Sequence, residues 1–283
     1  MPSPSKPLRE PLRVISDLHL GHDISTVRTV ESLRGLVAGA GTMIFNGDTS
    51  QERGTMFRDK ADRMLAELHQ LCAEEKADTV FLKGNHDPAV DGPDLLDLAS
   101  GRVTVMHGDI LLPLISPWSL HVRKFRPVLE KIHAEYDAEA RRRLDVRIEI
   151  VRRCRDALPP SFTRQRGHTL KERARLFLRE IWPPRRPWEV LKVWTRLAGT
   201  ASGFMEEFRP EAEVLIFGHT HRPHVWRRRG RLLVNTGAFV TFARPLMVEI
   251  AGRTLLVRPM SEAGGHWRMA APAVSHALRG TAA

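Results

Sequence analysis

Short apolar segments that each lead directly into a cluster of Asp, Asn, His and Gly residues are the feature that most limits the fold of this 283-residue chain. Ahead of residue 111, these segments are read as buried strands. Two segments with apolar residues every three or four positions, 24–37 and 56–72, are read as helices between them. This β-α-β-α order predicts an α/β domain whose parallel or mixed sheet carries helices on its faces. The predicted strands of this half are 12–16, 42–46, 79–83 and 102–107.

Composition excludes several other classes of protein. Hydrophobic residues make up 42% and charged residues 27% of the chain, which is typical of a globular protein and not of a disordered one. No apolar run approaches the roughly 18 residues of a membrane-spanning helix. The chain reaches its first strand by Leu12, which leaves no room for a secretory leader. Its only cysteines, Cys72 and Cys154, fit the reducing cytosol.

Chemically capable side chains follow the predicted strands, at the edge where α/β sheets bind ligands. Taken singly, each has a simple structural explanation, because Asp and Asn form turns and a histidine is usually a satisfied polar group. Their joint occurrence after five strands indicates a shared site. The five clusters are Asp17-Leu18-His19, Gly47-Asp48, Gly84-Asn85-His86-Asp87, Met106-His107-Gly108-Asp109 and Gly218-His219-Thr220-His221-Arg222-Pro223.

The residue types in these clusters predict a metal site. Carboxylate and imidazole together suit Mn, Fe and related divalent ions, and the lack of cysteine ligands argues against structural zinc. Residues two apart on an extended segment point the same way. We therefore expect Asp17 with His19, and His219 with His221, each to aim two groups into one cleft.

The ordered motif set D-x-H, GD, GNHD, HGD and GHTH resembles the binuclear metallophosphoesterases of calcineurin-like fold, over residues 12–109 and 213–257. The resemblance implies a four-layer α-β-β-α sandwich, with the strands after Gly218 in its second sheet. It also implies two divalent metal ions, with Mn expected and Fe, Zn, Ni or Mg as alternatives. By position, it assigns one metal to Asp17, His19 and His221 and the other to Asn85, His107 and His219, with Asp48 bridging the two.

The same resemblance implies hydrolysis of a phosphoester or pyrophosphate bond by a metal-bridging hydroxide. His86 matches the family's non-ligand histidine near the scissile bond, where it donates a proton to the leaving oxygen or stabilises its charge. Asp87 and Asp109 are expected to orient their neighbours and not to take part in the reaction.

Residues 111–209 are predicted to form a largely helical insertion in a single domain. Apolar residues recur every three or four positions between 125 and 151, which predicts one long helix, and again between 190 and 208. The strand pattern then returns. We therefore divide the chain 1–283 into a core of 12–110 and 210–258, the insertion, and a C-terminal tail, 259–283, that is poorly ordered after Gly264. The late strands are 213–217, 232–235, 246–250 and 254–257.

The positive charge of the chain is concentrated in this insertion. The formal net charge is +11, and residues 121–200 alone contain 21 Lys and Arg against 10 Asp and Glu. The simplest interpretation is a helical cap with a solvated charged face. Tryptophans among the arginines also fit a membrane surface or lipid-chain pocket, or contact with nucleic acid. These tryptophans are Trp118, Trp182, Trp188 and Trp194.

The HGD motif, the basic insertion and the GHTHRP motif together are similar to the UDP-2,3-diacylglucosamine hydrolases, which cleave a pyrophosphate on an acylated sugar nucleotide at the membrane surface. This similarity implies a phosphorylated small-molecule or lipid-linked substrate. It also implies a cytoplasmic protein, peripheral to the inner face of the membrane, with contact through residues 121–200. A nuclease that uses the insertion as a nucleic-acid groove and a non-catalytic scaffold of the same fold are the alternatives.

Overall fold

The computed structural model of the protein describes residues 7–53, 56–159, 185–241 and 243–279. These residues form two β-sheets with helices on the outer faces. The strands are β1 (Leu12–Ile15), β2 (Thr42–Asn46), β3 (Asp78–Leu82), β4 (Leu95–Leu98), β5 (Val103–Met106), β6 (Val214–Phe217), β7 (His224–Arg228), β8 (Arg231–Asn235), β9 (Leu246–Ala251), β10 (Thr254–Ala263), β11 (His266–Met269) and β12 (Val274–Ala277).

Both sheets are mixed. The first has the order β11-β10-β9-β1-β2-β3, with β12 also paired to β10, and the second has the order β4-β5-β6-β8-β7. Strands β1, β2 and β3 run parallel in the first sheet, and β5, β6 and β8 run parallel in the second. Parallel neighbours end at the same edge, so the segments that follow them are brought side by side.

Five α-helices lie among the described residues: α1 (Arg34–Val37), α2 (Arg58–Glu74), α3 (Leu120–Ala134), α4 (Leu144–Ala157) and α5 (Arg185–Phe208). Three 3₁₀ turns accompany them, Val30–Leu33, Asp109–Leu111 and Ala140–Arg142. Within the described part of the chain, no helix combines the length and the apolar composition needed to cross a bilayer.

Alternate side chains of the strands pack into different layers. In β2, Ile44 lies in the apolar cluster between the two sheets, whereas Phe45 lies in the cluster under α1 and α2. On the outer face of the second sheet, Phe217 packs with α4 and α5. Burial of one such side chain contributes about 1.5–3 kcal/mol. The resulting helix-sheet-sheet-helix stack confirms the predicted four-layer α/β sandwich.

The structure corrects two predicted helices. Residues 24–37 do not form one helix, because only the turn Val30–Leu33 and the single helical turn of α1 are helical. Residues 125–151 form parts of two helices, α3 and α4, separated by a turn in which the Asp137 side chain accepts from the Ala140 amide. The apolar spacing continues across this turn, which is why periodicity alone did not reveal it. Trp182 lies outside the described residues.

The C-terminal part is also different from the prediction. The predicted boundary at 258 falls inside β10, and the tail beyond Gly264 is not poorly ordered, because β11 and β12 both pair with β10. The late strands do not all join the second sheet: β7 and β8 do, whereas β9 pairs with β1 in the first sheet. Strand β4, which the sequence analysis missed, pairs with β5.

Arg155 joins helix α4 to the core. Its side chain is 2% exposed and donates two hydrogen bonds to Asp109, from Nε to Oδ2 at 2.7 Å and from Nη2 to Oδ1 at 2.8 Å. It donates a third, from Nη1, to Oδ1 of Asp94 at 2.6 Å. Both carboxylates are buried. The insertion is therefore fixed to the loop that follows β5 by a buried ion pair.

Replacing Arg155 with Met should lower the free energy of unfolding by about 3–5 kcal/mol, because Asp94 and Asp109 then lose their buried cation. The matched control is Arg152→Met, since Arg152 also pairs with Asp94 but its side chain is 56% exposed. That change should cost less than about 1 kcal/mol. Urea unfolding of the metal-free proteins, followed by circular dichroism, measures both. If the two variants lost the same free energy of unfolding, the buried ion pair of Arg155 would not be the contact that fixes the insertion.

Candidate metal centre

Five strand ends meet at one edge of the sandwich. Backbone hydrogen bonds tie the loops that follow them, from the Asp17 amide to the Gly47 carbonyl at 3.1 Å and from the Gly218 amide to the His107 carbonyl at 2.8 Å. The structure thereby brings all the sequence-predicted site residues together. These are Asp17 and His19 after β1, Asp48 after β2, Asn85 and His86 after β3, His107 after β5, and His219 and His221 after β6.

The sequence analysis assumed an extended backbone at these residues. The structure shows that the backbone there is not extended. Five non-glycine site residues have φ between 48° and 68°, in the left-handed region that L-residues rarely occupy. Such strained residues cluster at functional sites, where the surrounding structure holds them in place. Paired side chains therefore converge because the chain turns sharply. The five residues are Asp17, His19, Asp48, His219 and His221.

Glycines in the motifs make room for the carboxylates. A Cβ added to Gly218 would lie 2.1 Å from Oδ2 of Asp17, and one added to Gly84 would lie 2.2 Å from Oδ1 of Asp48. Both contacts are closer than real Cβ atoms allow. At these two positions, glycine is required by the close approach of a buried carboxylate.

One group of ligand-type side chains consists of Asp17, His19 and His221, whose ligand atoms lie within 4.8 Å of one another. The Nε2 atoms of His19 and His221 are 3.1 Å apart, and Oδ1 of Asp17 lies 3.3 Å from Nε2 of His221. Asp17 is held from behind by the His219 amide and by the Ser16 hydroxyl, which donates to Oδ2 at 2.5 Å.

A second group consists of Asp48, His107 and His219. Nε2 of His107 lies 3.3 Å from Oδ2 of Asp48 and 3.2 Å from Nδ1 of His219. Oδ1 of Asn85 lies 3.2 Å from the same Nε2. The other ring nitrogen of His107 contacts the carbonyl of Asn46 at 3.2 Å, which orients the imidazole.

His86 belongs to a third group, with His19 and Asp48. Its Nε2 lies 3.9 Å from Oδ2 of Asp48, farther than that of His107. Its Nδ1 lies 2.9 Å from Nε2 of Gln51, a fully buried residue. Gln51 therefore fixes the ring of His86 from the side opposite the cluster. Asp48 and His19 each take part in two groups, which places them at the middle of the site.

The electrostatics of the site follow from its burial. Burial lowers the pKa of His19 well below its usual range, and burial with the neighbouring His107 lowers the pKa of His219 to about 4. Burial also opposes the charged form of His107, but the Asp48 carboxylate beside it raises its pKa to about 10. Although burial disfavours the carboxylate of Asp48, the His107 and His86 imidazoles hold its pKa well below the usual range.

The donor set fits divalent metal ions. Imidazole nitrogens face one another at about hydrogen-bond distance around two buried carboxylates, and Nδ1 of His19 has no hydrogen-bond partner within the described structure. Buried carboxylates need a cation, and neutral imidazoles supply lone pairs to one. The His and Asp clusters thus form a candidate site for divalent metal ions.

Asp87 organises the backbone around Asp48, as expected for an orienting residue. Its carboxylate accepts hydrogen bonds from the amides of Asp48, Thr49 and Gly84 at 2.9, 2.7 and 3.0 Å. It also accepts one from Ser50 at 3.2 Å. Asp87 therefore joins the loops after β2 and β3, which carry Asp48, Asn85 and His86.

The sequence analysis missed several residues of this site. Gln51 and Ser16 belong to no motif, and only the structure shows their contacts with His86 and Asp17. Asn235 also supports the GHTH loop, because its Nδ2 donates to the carbonyl of Gly218 at 3.2 Å.

A family model, calcineurin-like phosphoesterase, matches residues 11–223. The chain belongs to the calcineurin-like phosphoesterase family. No curated protein has a matching sequence.

Solved structures of low identity are similar over most of the chain. Vacuolar protein sorting 29 from Cryptosporidium parvum is 14% identical, with 94% of this chain and 97% of that chain covered and a TM-score of 0.45. A dimetal phosphatase from Danio rerio is 14% identical, with 88% and 96% covered and a TM-score of 0.42. A predicted phosphoesterase from Streptococcus pneumoniae is 15% identical, with 94% and 97% covered and a TM-score of 0.39. At these scores, none of the three supports a statement about activity.

Mn²⁺ should stabilise the protein against urea, by about 2.7 kcal/mol at a free concentration 100 times its Kd. Asp48→Asn should remove this stabilisation, because Asp48 is shared by two of the ligand groups. Asp62→Asn, on the exposed side of α2, is the control and should keep it. The affinity should also rise from pH 6 to pH 8, because His107, with a pKa of about 10, must lose its proton to bind a cation. Stabilisation by Mn²⁺ that survives in Asp48→Asn would place the metal elsewhere.

Proposed function

We propose that the protein is a binuclear metal-dependent phosphoesterase that hydrolyses a phosphoester or pyrophosphate bond. The observation that carries the proposal is the convergence of seven ligand-type side chains, the buried Asp48 among them. One metal would be held by Asp17, His19 and His221 and the other by Asn85, His107 and His219, with Asp48 between them. Asp, Asn and His donors suit Mn best, with Fe, Zn, Ni or Mg as alternatives.

Metal ions bound there would polarise the phosphoryl oxygens and lower the pKa of water toward about 7. The protein's own groups supply the rest of the chemistry. The amide oxygen of Asn85 brings a neutral donor, so the site carries less negative charge toward an anionic phosphate. His86 is held at Nδ1 by the uncharged Gln51, and its Nε2 lies 3.9 Å from Oδ2 of Asp48, farther than the 3.3 Å of the Nε2 atom of His107. We assign it the stabilisation of the leaving oxygen by a hydrogen bond or proton.

The insertion helps to choose among substrates. Several of its described arginines are engaged with the protein, which reduces the positive charge that they offer to a polyanion. Arg126, Arg143 and Arg153 pair with Glu130, Asp145 and Glu135, and Arg147 donates to the carbonyl of Ile110. This favours a small phosphorylated substrate over nucleic acid. The lipid-linked nucleotide substrate, the membrane contact through residues 121–200 and the cytoplasmic location stay predictions.

The proposal predicts that the Mn-loaded protein hydrolyses bis-p-nitrophenyl phosphate or a nucleotide diphosphate sugar, and that EDTA abolishes the activity. Asp48→Asn and His107→Ala should each lower kcat/KM by about 10³-fold or more, because each removes a metal ligand. The control is His266→Ala, on an exposed position of β11. Turnover retained in either ligand variant would refute the proposal, and cleavage of DNA or RNA in place of these substrates would favour the nuclease alternative.

Gln51→Met should lower kcat by about 10- to 100-fold, because the ring of His86 loses the partner of its Nδ1. Titration calorimetry should find the Mn²⁺ affinity unchanged, since His86 is proposed to act on the substrate and not on the metal. A parallel loss of Mn²⁺ affinity would instead make His86 a metal ligand, which its place in the third group also permits geometrically.

A further inference from the structure

A cavity of about 230 Å³ lies over the candidate metal centre. Its polar side consists of residues from the strand-end loops, including Asp48, His86 and His221, whereas its apolar side comes from the insertion. Trp118, Val190 and Trp194 supply that apolar side. The cavity is smaller than the roughly 300–1,000 Å³ of sites for drug-sized ligands. It therefore suits a phosphoryl group with one modest substituent.

The indole of Trp194 is fixed in place before any ligand binds. Its Nε1 donates to the carbonyl of Thr220 at 3.3 Å, and the guanidinium of Arg222 lies over the ring, 5.3 Å from its centre. Arg222 also donates to the carbonyl of Trp194 at 2.9 Å. Arg222 is not one of the cavity-lining residues, so it supports the indole from outside. A side chain held in this way loses little entropy when a ligand packs against it.

Trp118 provides a second flat wall. Its ring centre lies 5.4 Å from that of His219, at an interplanar angle of 44°, and its outer part packs against the apolar cluster of α4, α5 and the second sheet. Aromatic rings in such offset or tilted contacts gain about 0.5–1.5 kcal/mol beyond the area that they bury. The two indoles thus come from different parts of the insertion and meet at the same cavity.

Charge distinguishes between kinds of substituent. Among the described residues that line the cavity, none is Lys or Arg. The guanidinium of Arg222 is engaged by the ring and the carbonyl of Trp194, so the described lining offers no free cation to a second phosphate or a sugar-phosphate chain. An uncharged ring would find two aromatic side chains, with the hydroxyl-bearing Ser116 and Thr220 in the same lining.

We propose that Trp118 and Trp194 form a subsite for a flat, uncharged ring attached to the phosphoryl group of the substrate, of the size of an aryl group or a nucleobase. The inference rests on the proposed function and names the substrate class of that same site.

The test compares two diesters with the same leaving group, bis-p-nitrophenyl phosphate and methyl p-nitrophenyl phosphate. The Mn-loaded wild type should prefer the diaryl ester, and Trp194→Leu and Trp118→Leu should lower the ratio of the two kcat/KM values by about 10-fold. Trp194→Phe and Trp118→Phe keep a flat ring and should restore most of the preference. Trp188→Leu is the matched control, because Trp188 lies on the same helix as Trp194 but is 65% exposed and outside the cavity.

A binding measurement separates this inference from the proposed function. By calorimetry, phenylphosphonate should bind the Mn-loaded protein about 10-fold more tightly than methylphosphonate, and both Leu variants should lose that difference. If no ester is hydrolysed but this difference is present and lost in the variants, the subsite stands and the proposed activity fails. The subsite is refuted and the activity stands if hydrolysis occurs but the kcat/KM ratio of the diesters and the affinity ratio of the phosphonates are the same in wild type and Leu variants. The same conclusion follows if Trp188→Leu changes both ratios as much as the other two Leu variants do.

Discussion

Two fully buried carboxylates, Asp17 and Asp48, at the ends of neighbouring parallel strands are the constraint on which the rest of this structure depends. Carboxylates out of water must be matched by positive charge or by hydrogen-bond donors. Imidazoles from three other loops approach them, and glycines at 84 and 218 clear the space that a side chain would fill. A site of this composition is costly in free energy without cations and is stabilised when cations bind. Its geometry therefore supports metal-dependent chemistry.

The insertion is coupled to this centre at residues next to the ligands. Arg155 holds Asp109, two residues after His107, and Trp194 bonds to the carbonyl of Thr220, which lies between His219 and His221. Helices α4 and α5 therefore each fix a ligand loop, and α5 also supplies part of the wall of the cavity. Changes in the insertion are expected to alter both substrate preference and the geometry of the metal site, because the contacts are shared. The insertion is therefore both a part of the substrate cavity and a support for the loops that carry the metal ligands.

The strand-end motifs made the α/β class and the set of converging residues predictable from the sequence, since parallel strands of a sheet end at a common edge. The four layers were predicted from the family resemblance. Other features were not predictable. The turn that separates α3 from α4 continues the apolar spacing of both helices, and the short strands β4 and β7 alternate too briefly to stand out. Gln51 carries no motif, and its role depends on a single contact with His86 across 35 positions. The membership of Trp118 and Trp194 in one cavity is likewise a property of tertiary packing.

The centre is organised by the backbone before a cation binds. Five non-glycine residues there occupy left-handed conformations, each of which costs of order 1–3 kcal/mol and persists only where the surroundings over-determine it. Three sets of contacts hold these loops in place. They are the four amides that donate to Asp87, the hydrogen bond from the His19 amide to the Asp48 carbonyl at 2.9 Å, and the ion pair of the buried Arg155. Because core packing and these hydrogen bonds stabilise the strained loops, little metal-binding energy is needed to order them. That energy would remain available to hold the two like-charged ions of the proposed centre close together, which a site assembled only on binding could do less well.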